Sequence, residues 1–390
     1  MKRICFIRQE VFPYELSFRR EVETIKSAGF EVHVISLGRT QDGETLQQEE
    51  VFDGIFVHRI PLARKRSSIF RYLYDYFSFF LLAAIKLTYL NLRGPFDVIQ
   101  VNTMPDFLVF TTLIPKLMGS KVTLMMQEPM PELWQTLHGG SPPRIIRIAE
   151  QAALAYADAV LTVTQQLKDV YVARGANPKK ITVILNAPES RFLELDSQQE
   201  SVAPVAKPFT LISHGTIEER YGHDTMVDAI ALVKSQIPQI CLKILGNGTF
   251  VDEMLALIRQ RRVENHVQYL GFVPLSQMIQ ELNAADIGIV AQKSSPYSNL
   301  VHTNKMYEFI HLGKPVLASR LKSVEAYFGN DSLYFFEPSN PESLAQGILD
   351  LYQHPAKREV LVENSRELYN HYRWEKQREI YQSLYHGLVR

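Results

Sequence analysis

Short apolar runs alternate with longer amphipathic stretches along nearly the whole chain, and this alternation most constrains the fold. Short runs rich in β-branched residues and separated by helices indicate parallel strands with helices on both faces of the sheet. The first series of predicted strands covers 3–7, 32–37, 55–58, 98–101, 122–126, 160–164 and 181–185. The second covers 209–213, 241–245, 267–270, 287–291, 316–318 and 334–336. Predicted helices such as 19–28, 144–156 and 225–236 lie between them.

The two series are separated by residues 188–208, which lose periodicity and gain Ser, Gln, Pro and Glu. A chain of 390 residues suits two domains of ordinary size. We therefore predict an N-terminal domain over 1–187, a linker over 188–208 and a similar C-terminal domain over 209–372. A last helix within 373–390 has no strand after it and must pack on an existing surface. Two doubly wound α/β domains in tandem predict a ligand-binding cleft between them.

Composition excludes several classes of protein. The chain has 42 Lys+Arg and 42 Asp+Glu, so no global field recruits nucleic acid, and we predict no nucleic-acid partner. Its two cysteines, Cys5 and Cys241, are too few for a disulfide scaffold and favour the reducing cytoplasm. The N-terminus does not resemble a signal peptide. The charge-free apolar run 76–85 is about half the length of a membrane-spanning helix.

Residues 64–93 combine Arg64, Lys65, Arg66 and Arg71 with many aromatic side chains. Such a mixture is typical of a helix that lies in the interface of an anionic bilayer. The alternative is that 77–87 packs on the first sheet while the basic residues stay in water. The first interpretation predicts peripheral contact with the inner face of the plasma membrane and favours a lipid-linked acceptor.

The first candidate site follows the strand at 209–213. The strand ends near Gly215, the next loop contains Arg220, and Asp224 is predicted to cap a helix that starts at Thr225. Glycine lets a ligand approach the backbone, a guanidinium binds phosphate oxygens, and a helix N-terminus adds donors. The alternative is an ordinary strand–helix turn with a solvated arginine.

A second glycine-rich turn, Gly246-Asn247-Gly248, follows the strand at 241–245. It matches only part of the dinucleotide-binding pattern, because Val251 occupies the third glycine position. The acid that the pattern requires after the next strand is also missing, since Glu264 precedes that strand. A redox cofactor is therefore disfavoured, and a tight turn near a ligand remains.

The third candidate site lies in residues 299–316. The sequence there predicts a helix capped by Thr303 or Asn304, with Lys305 in its first turn and Glu308 on the same face. At a cleft these two charges could hold a diphosphate and a ribose, and the alternative is a surface ion pair of small energy. No metal-binding motif is present, and four histidines are scattered rather than clustered: His214, His223, His302 and His311. We predict no metal ion, no serine hydrolase and no P-loop NTPase, which leaves a transferase without its own nucleophile.

Taken together, these segments resemble the family 4 retaining glycosyltransferases, which have the GT-B fold of two Rossmann-like domains around a cleft. The C-terminal resemblance is carried in order by 214–222 (HGTIEERYG), 270–274 (LGFVP), 284–288 (AADIG), 304–308 (NKMYE) and 312–316 (LGKPV). The N-terminal resemblance is carried by 129–133, 157–163 and 183–186.

The resemblance implies that the C-terminal domain binds a nucleotide-sugar. Arg220 and Lys305 would hold the diphosphate, and Glu308 the ribose hydroxyls. The other implied donor-binding residues are Gly215, Thr216, Gly246, Asn247, Gly271, Phe272, Val273, Leu300, Val301, His302 and Thr303. The N-terminal domain would bind the acceptor, with the terminal helix crossing back onto it. The implied acceptor-side residues are Arg19, Arg20, Gln127, Glu128 and Glu132.

Two positions depart from the family pattern. The family often has two glutamates eight residues apart, but Leu300 occupies the first position, so sugar contacts would pass to the backbone of 300–303. Where many members place a histidine near the reacting sugar, this chain has Gln127, whose amide cannot take a proton.

We therefore expect a metal-independent retaining enzyme of the hexosyltransferase type that needs no cofactor. It would move a sugar from a UDP-sugar or GDP-sugar to a glycan or lipid-linked acceptor, in cell-surface polysaccharide or glycolipid synthesis. A sugar-nucleotide epimerase and a catalytically silent nucleotide-binding subunit are the alternatives. The joint presence of Arg220, Lys305 and Glu308 favours the transferase.

Overall fold

A computed structural model describes residues 1–40, 43–63, 69–189 and 208–389. The chain divides into two compact units, Met1–Asn186 with Glu375–Arg390, and Ala187–Trp374. Each unit is built on a largely parallel β-sheet covered by helices, so the predicted fold of two α/β domains is confirmed. The predicted linker lies almost wholly outside the described residues, as do Arg64, Lys65 and Arg66.

The described part of the first unit contains a sheet of eight strands in the order β3-β4-β2-β1-β5-β6-β7-β8. Its strands are β1 (Arg3–Ile7), β2 (Glu31–Leu37), β3 (Glu49–Phe52), β4 (Ile55–Ile60), β5 (Val98–Asn102), β6 (Lys121–Met126), β7 (Ala159–Thr162) and β8 (Ile181–Val183). Its helices are α1 (Leu16–Ser27), α2 (Ile69–Arg93), α3 (Leu113–Leu117), α4 (Met130–His138), α5 (Arg144–Tyr156) and α6 (Gln165–Ala173). A 3₁₀ helix, Asp106–Thr112, precedes α3.

The central strands of this sheet are buried on both faces. In β1, four successive side chains from Ile4 to Ile7 are fully buried, which explains why the sequence reads as a continuous apolar run rather than an alternating one. Strand β3 is the exception, because it pairs antiparallel with β4 at the edge of the sheet. Its side chains are alternately exposed and half-buried, so it lacks the apolar run by which the other strands were predicted.

The second unit contains a described sheet of six parallel strands in the order β11-β10-β9-β12-β13-β14. These are β9 (Phe209–His214), β10 (Ile240–Leu245), β11 (Val267–Gly271), β12 (Ile287–Val290), β13 (Val316–Ser319) and β14 (Tyr334–Phe336). Its helices are α7 (His223–Val233), α8 (Val251–Arg261), α9 (Leu275–Ala284), α10 (Asn304–His311), α11 (Lys322–Glu325), α12 (Pro341–Gln353) and α13 (Pro355–Tyr372). One apolar core packs on each face of the sheet.

Strand order in the second sheet fixes where a ligand can bind within this unit. The chain runs outward from β9 to β10 and β11, then returns to β12 on the other side of β9. The loops that follow β9 and β12 therefore leave the sheet in opposite directions, and a crevice opens between them at the carboxyl ends of the strands. Arg220 lies in the first of these loops, and Lys305 follows the second.

The last helix, α14 (Trp374–Leu388), belongs mainly to the first unit. Tyr381 is fully buried and its hydroxyl donates to Gln100 Oε1 at 2.6 Å, and the Tyr385 hydroxyl donates to the same oxygen. The Tyr385 ring also stacks on Phe6, with 6.3 Å between ring centroids. These contacts make α14 part of the first unit's core.

Candidate functional site

The turn between β9 and α7 depends on Gly222. This glycine has a left-handed backbone with φ of 68°, and a Cβ placed on it would lie 2.0 Å from the Ala291 carbonyl oxygen. Gly222 is the N-cap, and the helix begins at His223. The predicted cap at Asp224 is therefore wrong: Asp224 lies in the first turn and pairs with Lys293, with 2.7 Å between Oδ2 and Nζ.

The loops after β9, β10 and β11 are joined by short backbone hydrogen bonds. The Gly215 N–H donates to the Leu245 carbonyl at 2.9 Å, and the Gly246 N–H donates to the Gly271 carbonyl at 2.7 Å. A Cβ on Gly246 would lie 1.8 Å from the Gly215 carbonyl oxygen, so only glycine fits this crossing. Three glycines predicted to bind the donor are thus brought together at the carboxyl ends of neighbouring strands.

The structure brings Arg220 and Lys305 to the same aromatic ring. The Arg220 guanidinium carbon lies 4.9 Å from the centre of the Tyr221 ring, and the Lys305 ammonium lies 4.4 Å from it. A Cβ on Gly215 would lie 3.2 Å from Lys305 Nζ, so the ammonium sits directly against this glycine. Although 85 positions separate the two cations in the sequence, they converge on one place.

Two positive charges beside one aromatic ring form a site that favours an anion. Burial, followed by the charge of Arg220, lowers the pKa of Lys305 to about 8, against the opposing effect of Glu308. Burial and the charge of Lys305 also lower the pKa of His223 to about 3, so this first residue of α7 is neutral. An anionic ligand here would relieve the repulsion between Arg220 and Lys305.

Glu308 is paired with His214, the first residue of the 214–222 segment, for which the sequence predicted no role of its own. His214 Nε2 and Glu308 Oε2 are 3.0 Å apart. Burial acts to raise the pKa of Glu308, but His214 and Lys305 hold it below its usual value, so the carboxyl group is ionised. His214 precedes Gly215 in the same segment, and its place at the end of β9 is the signal that could have identified it.

Helix α10 starts as predicted, with Thr303 as its cap. Thr303 Oγ1 accepts a hydrogen bond from the Lys305 backbone N–H at 3.1 Å, which fixes the turn that carries the ammonium. The His302 side chain is buried, with Nδ1 3.1 Å from the Ser323 carbonyl and Nε2 2.8 Å from the Tyr307 hydroxyl. His302 can therefore offer a ligand its backbone but not its imidazole.

The other predicted donor-binding residues differ in exposure. Gly271 has a left-handed backbone with φ of 68° and open space around it. Phe272 has 83% of its surface exposed, whereas Val273 packs against the core. Thr216 and Asn247 are exposed, and Leu300 and Val301 are half-buried.

In the first unit, Gln127 is held by a buried carboxyl group that the sequence analysis missed. Gln127 Nε2 donates to Glu21 Oε1 at 3.0 Å. The other oxygen of Glu21 accepts from Gln100 at 2.9 Å and from Asn102 at 2.7 Å. Burial raises the pKa of Glu21 to about 7, against the opposing charge of Arg8.

The position of Glu21 in α1 was the available signal for this network. Phe18, Val22 and Ile25 follow helical spacing and are fully buried, and Glu21 lies among them on the buried face. A carboxylate on the apolar side of a helix requires donors, and β5 and the end of β6 provide them.

The remaining acceptor-side residues take part in contacts within their own unit. Arg19 pairs with Glu23 at 2.7 Å, and Arg20 donates to Asn186 Oδ1 at 2.5 Å. Glu132 pairs with Arg174, which also binds Glu150. Glu128 is half-buried. The binding roles of these acceptor-side residues stay predictions.

Within the described ranges, no group of three or more His, Cys, Asp or Glu side chains is arranged to hold a metal ion.

Two family models match successive parts of the chain. Residues 15–187 match the model described as glycosyl transferase 4-like domain, and residues 196–368 match the one described as glycosyl transferases group 1. Together the two matches cover most of the chain, which belongs to the group 1 glycosyltransferases. The predicted family is confirmed, and so is the prediction that the chain is a glycosyltransferase.

Solved structures share the fold over the full chain. Sucrose-phosphate synthase from Thermosynechococcus elongatus aligns with a TM-score of 0.78 at 16% identity, covering 100% of this chain and 99% of that one. Anabaena Alr3699/HepE in complex with UDP-glucose aligns with a TM-score of 0.73 at 15% identity, covering 99% and 100% of the two chains. These likenesses establish the GT-B fold.

A curated relative from Campylobacter jejuni is N-acetylgalactosamine-N,N'-diacetylbacillosaminyl-diphospho-undecaprenol 4-alpha-N-acetylgalactosaminyltransferase. It is 25% identical over 166 residues, which is 42% of this chain and 43% of the relative. The chain spans less than half the length of the curated relatives it matches.

Proposed function

We propose that this protein is a retaining glycosyltransferase that moves a sugar from a nucleoside-diphosphate sugar to a glycan or lipid-linked acceptor, without a metal ion or cofactor. The observation that carries the proposal is the convergence of Arg220 and Lys305 on Tyr221, beside Gly215. Fixed positive charges at this place suit a diphosphate better than any other part of a nucleotide-sugar.

The proposed reaction uses these cations to stabilise the leaving group. The bond between the sugar anomeric carbon and the diphosphate oxygen breaks, and negative charge builds on the diphosphate next to Arg220 and Lys305. The acceptor oxygen bonds to the same carbon on the same face, and its proton passes to the departing phosphate oxygen. Preorganised charges of this kind are usually the largest single catalytic term.

Glu308 and Gln127 have supporting roles in this proposal. The ionised Glu308 carboxylate, oriented by His214, would accept hydrogen bonds from the ribose hydroxyls. Because Gln127 Nε2 donates to Glu21, its carbonyl oxygen is the atom left to accept from a sugar hydroxyl. Neither group has to take a proton during the reaction.

The comparisons favour particular substrates. HepE was solved with UDP-glucose, which makes UDP-sugars the first donors to test and GDP-sugars the second. The name of the Campylobacter relative includes a diphospho-undecaprenol acceptor, which favours a lipid-linked acceptor in cell-surface glycan or glycolipid synthesis. Peripheral placement on the cytoplasmic face of the plasma membrane would suit such an acceptor.

The donor can be found by thermal unfolding with UDP, GDP, ADP and their sugars. A ligand present at about 100 times its Kd stabilises the folded state by roughly 2.7 kcal/mol. The correct nucleotide should raise Tm in the wild type and much less in Arg220→Ala. Equal Tm shifts in the two proteins would argue against the diphosphate assignment.

Release of nucleoside diphosphate then tests catalysis. We expect Arg220→Ala and Lys305→Ala each to lower kcat by about two to three orders of magnitude, the usual effect of losing one transition-state donor. Matched controls are Arg358→Ala and Lys357→Ala. In the wild type these side chains also lie over aromatic rings, Phe209 at 5.3 Å and Tyr334 at 4.8 Å, in the same unit. Both controls should keep wild-type kcat.

Two results would contradict the proposal. Near-normal kcat in both Arg220→Ala and Lys305→Ala would remove the assigned role of the cations. Tight nucleotide binding with no turnover on any donor and acceptor would instead identify a silent nucleotide-binding subunit.

A further inference from the structure

Helix α2 carries a long apolar face that the described residues of the first unit leave exposed. Phe79, Ala83 and Leu87 on its inner face are fully buried, so part of the helix packs on the sheet. On its outer face six apolar side chains spaced three or four residues apart are 45% to 66% exposed. They are Tyr74, Phe77, Leu81, Ile85, Tyr89 and Leu92. Packing on the sheet therefore accounts for only one side of this helix.

The exposed apolar surface continues onto α3 and α5. Leu113 and Leu117 are 52% and 81% exposed, and Ile145 and Ile148 are 68% and 61% exposed. The 3₁₀ helix before α3 joins the three elements, because Phe107 packs against Phe80 of α2 and Phe110 against Tyr156 of α5. Right-handed crossovers from β4 through β5 and β6 to β7 place α2, α3 and α5 on one side of the sheet.

The exposed charges carried by α2, α3 and α5 have one sign. Among the described side chains of α2, α3 and α5, the exposed charged ones are Arg93, Arg144 and Arg147. The acidic residues of these helices are buried, Asp75 at 4% exposure and Glu150 at 0%, and Glu150 is paired with Arg174. The exposed charges that these three helices carry are therefore all positive, and Glu49 of β3, an acid that contacts α2, is paired with Lys86.

We propose that the outer faces of α2, α3 and α5, here called the apolar face, dock on the surface of an anionic lipid bilayer. Exposed aromatic and aliphatic side chains bordered by arginine suit the boundary between acyl chains and anionic headgroups. A second copy of the chain is a poorer occupant, because a symmetric contact would bring like charges together. No helix in the described ranges is long and apolar enough to span a bilayer.

This proposal does not depend on the proposed glycosyl transfer, so its test uses the full chain without any donor or acceptor. Flotation with phosphatidylcholine vesicles, with and without phosphatidylglycerol, measures binding directly. The wild type should bind the anionic vesicles, and the double variant Phe77→Glu/Ile85→Glu should bind at least tenfold more weakly. Leu232→Glu and Val360→Glu are matched controls, because these side chains are 45% and 52% exposed in the second unit.

The arginines are tested separately by changing Arg93, Arg144 and Arg147 to Gln. These exposed substitutions are not expected to affect folding, which circular dichroism and Tm can check. Each basic residue near an anionic surface contributes roughly a fivefold factor in affinity, so the triple variant should bind about a hundredfold more weakly. Added salt should weaken wild-type binding in the same direction.

Three outcomes would overturn the proposal. The first is anionic-vesicle binding that is unchanged in the folded Phe77→Glu/Ile85→Glu protein. The second is equal binding to neutral and anionic vesicles. The third is a concentration-dependent dimer in sedimentation equilibrium that the glutamate variants dissociate, since a second copy would then cover the apolar face.

Discussion

The surroundings of Lys305 disfavour the protonated, positively charged form of its side chain. Burial and Arg220 lower its pKa to about 8, whereas an unperturbed lysine titrates near 10.4. In the free protein the ammonium is therefore fully present well below pH 8 and is lost as pH rises through that value. A bound diphosphate would stabilise the charged form and raise the pKa again.

This titration predicts the pH dependence of the reaction. We expect kcat/KM, which reports the free enzyme, to fall about tenfold per pH unit above pH 8. The pH profile of kcat reports the enzyme–substrate complex, in which the diphosphate raises the pKa of Lys305. We therefore expect kcat to fall only at a higher pH than kcat/KM. In Lys305→Arg, which stays protonated, any remaining kcat/KM should lose this alkaline limb. Superimposable kcat/KM profiles for Lys305→Arg and wild type would show that another group titrates.

At the residue scale, sequence could identify chemistry but not neighbours. Arg220 and Lys305 were predicted from glycine, arginine and helix-cap patterns, yet their meeting at Tyr221 depends on β9 and β12 being adjacent strands. Glu21 could have been noticed as an acid on the apolar face of α1, but its partners Gln100 and Gln127 are 79 and 106 positions away. No local pattern contains such information.

At the scale of elements, the predicted strands agree with the observed ones to within two residues, because buried parallel strands have a strong apolar signal. Helices carry a weaker boundary signal, and the helices predicted over 19–28 and 225–236 each miss one observed end by three residues. Helix α5 was predicted with its observed bounds. The start of α7 was misplaced for a physical reason. An aspartate is a common N-cap, but Gly222 takes that position because the backbone approaches Ala291 too closely for any side chain.

Two glycines with the same backbone conformation allow a direct test of this turn. Gly222 and Gly271 both have φ of 68°, but only Gly222 is crowded. Gly271→Ala should cost about 1–2 kcal/mol of unfolding free energy, the cost of a left-handed conformation. Gly222→Ala should lower the unfolding free energy by roughly 1–3 kcal/mol more than Gly271→Ala does, because the new Cβ would push the Ala291 backbone away. Urea unfolding measures both.

The comparison is matched because both glycines lie in the second unit and start from the same φ. If the two substitutions cost the same free energy, crowding by Ala291 does not determine the turn. A larger loss for Gly271→Ala would show that its surroundings are less open than the structure indicates.

At the scale of the whole molecule, the first unit is discontinuous in sequence. Residues 375–390 complete it, and the hydroxyls of Tyr381 and Tyr385 satisfy Gln100 in its core. The sequence predicted this helix from its aromatic residues and the absence of a following strand. Its place on the first unit followed from the family resemblance alone, because no local pattern says which surface a terminal helix covers.

Deletion of residues 375–390 should therefore destabilise the first unit selectively. Hydrogen exchange followed by mass spectrometry should show lost protection in peptides from β1, β5 and α1, at least tenfold faster than in the full chain. Peptides from 209–372 should keep their protection. Uniform loss of protection in both units, or none in the first, would contradict this assignment.

The return of α14 also has a consequence for how the protein is made. During translation the sheet of the first unit emerges early, but the tyrosines that cover Gln100 are made only after the entire second unit. At about 5–20 residues per second, the ribosome needs roughly ten to forty seconds for that intervening stretch. The unit that is begun first is therefore finished last, and for that interval a nascent chain carries a core with its closing helix still missing.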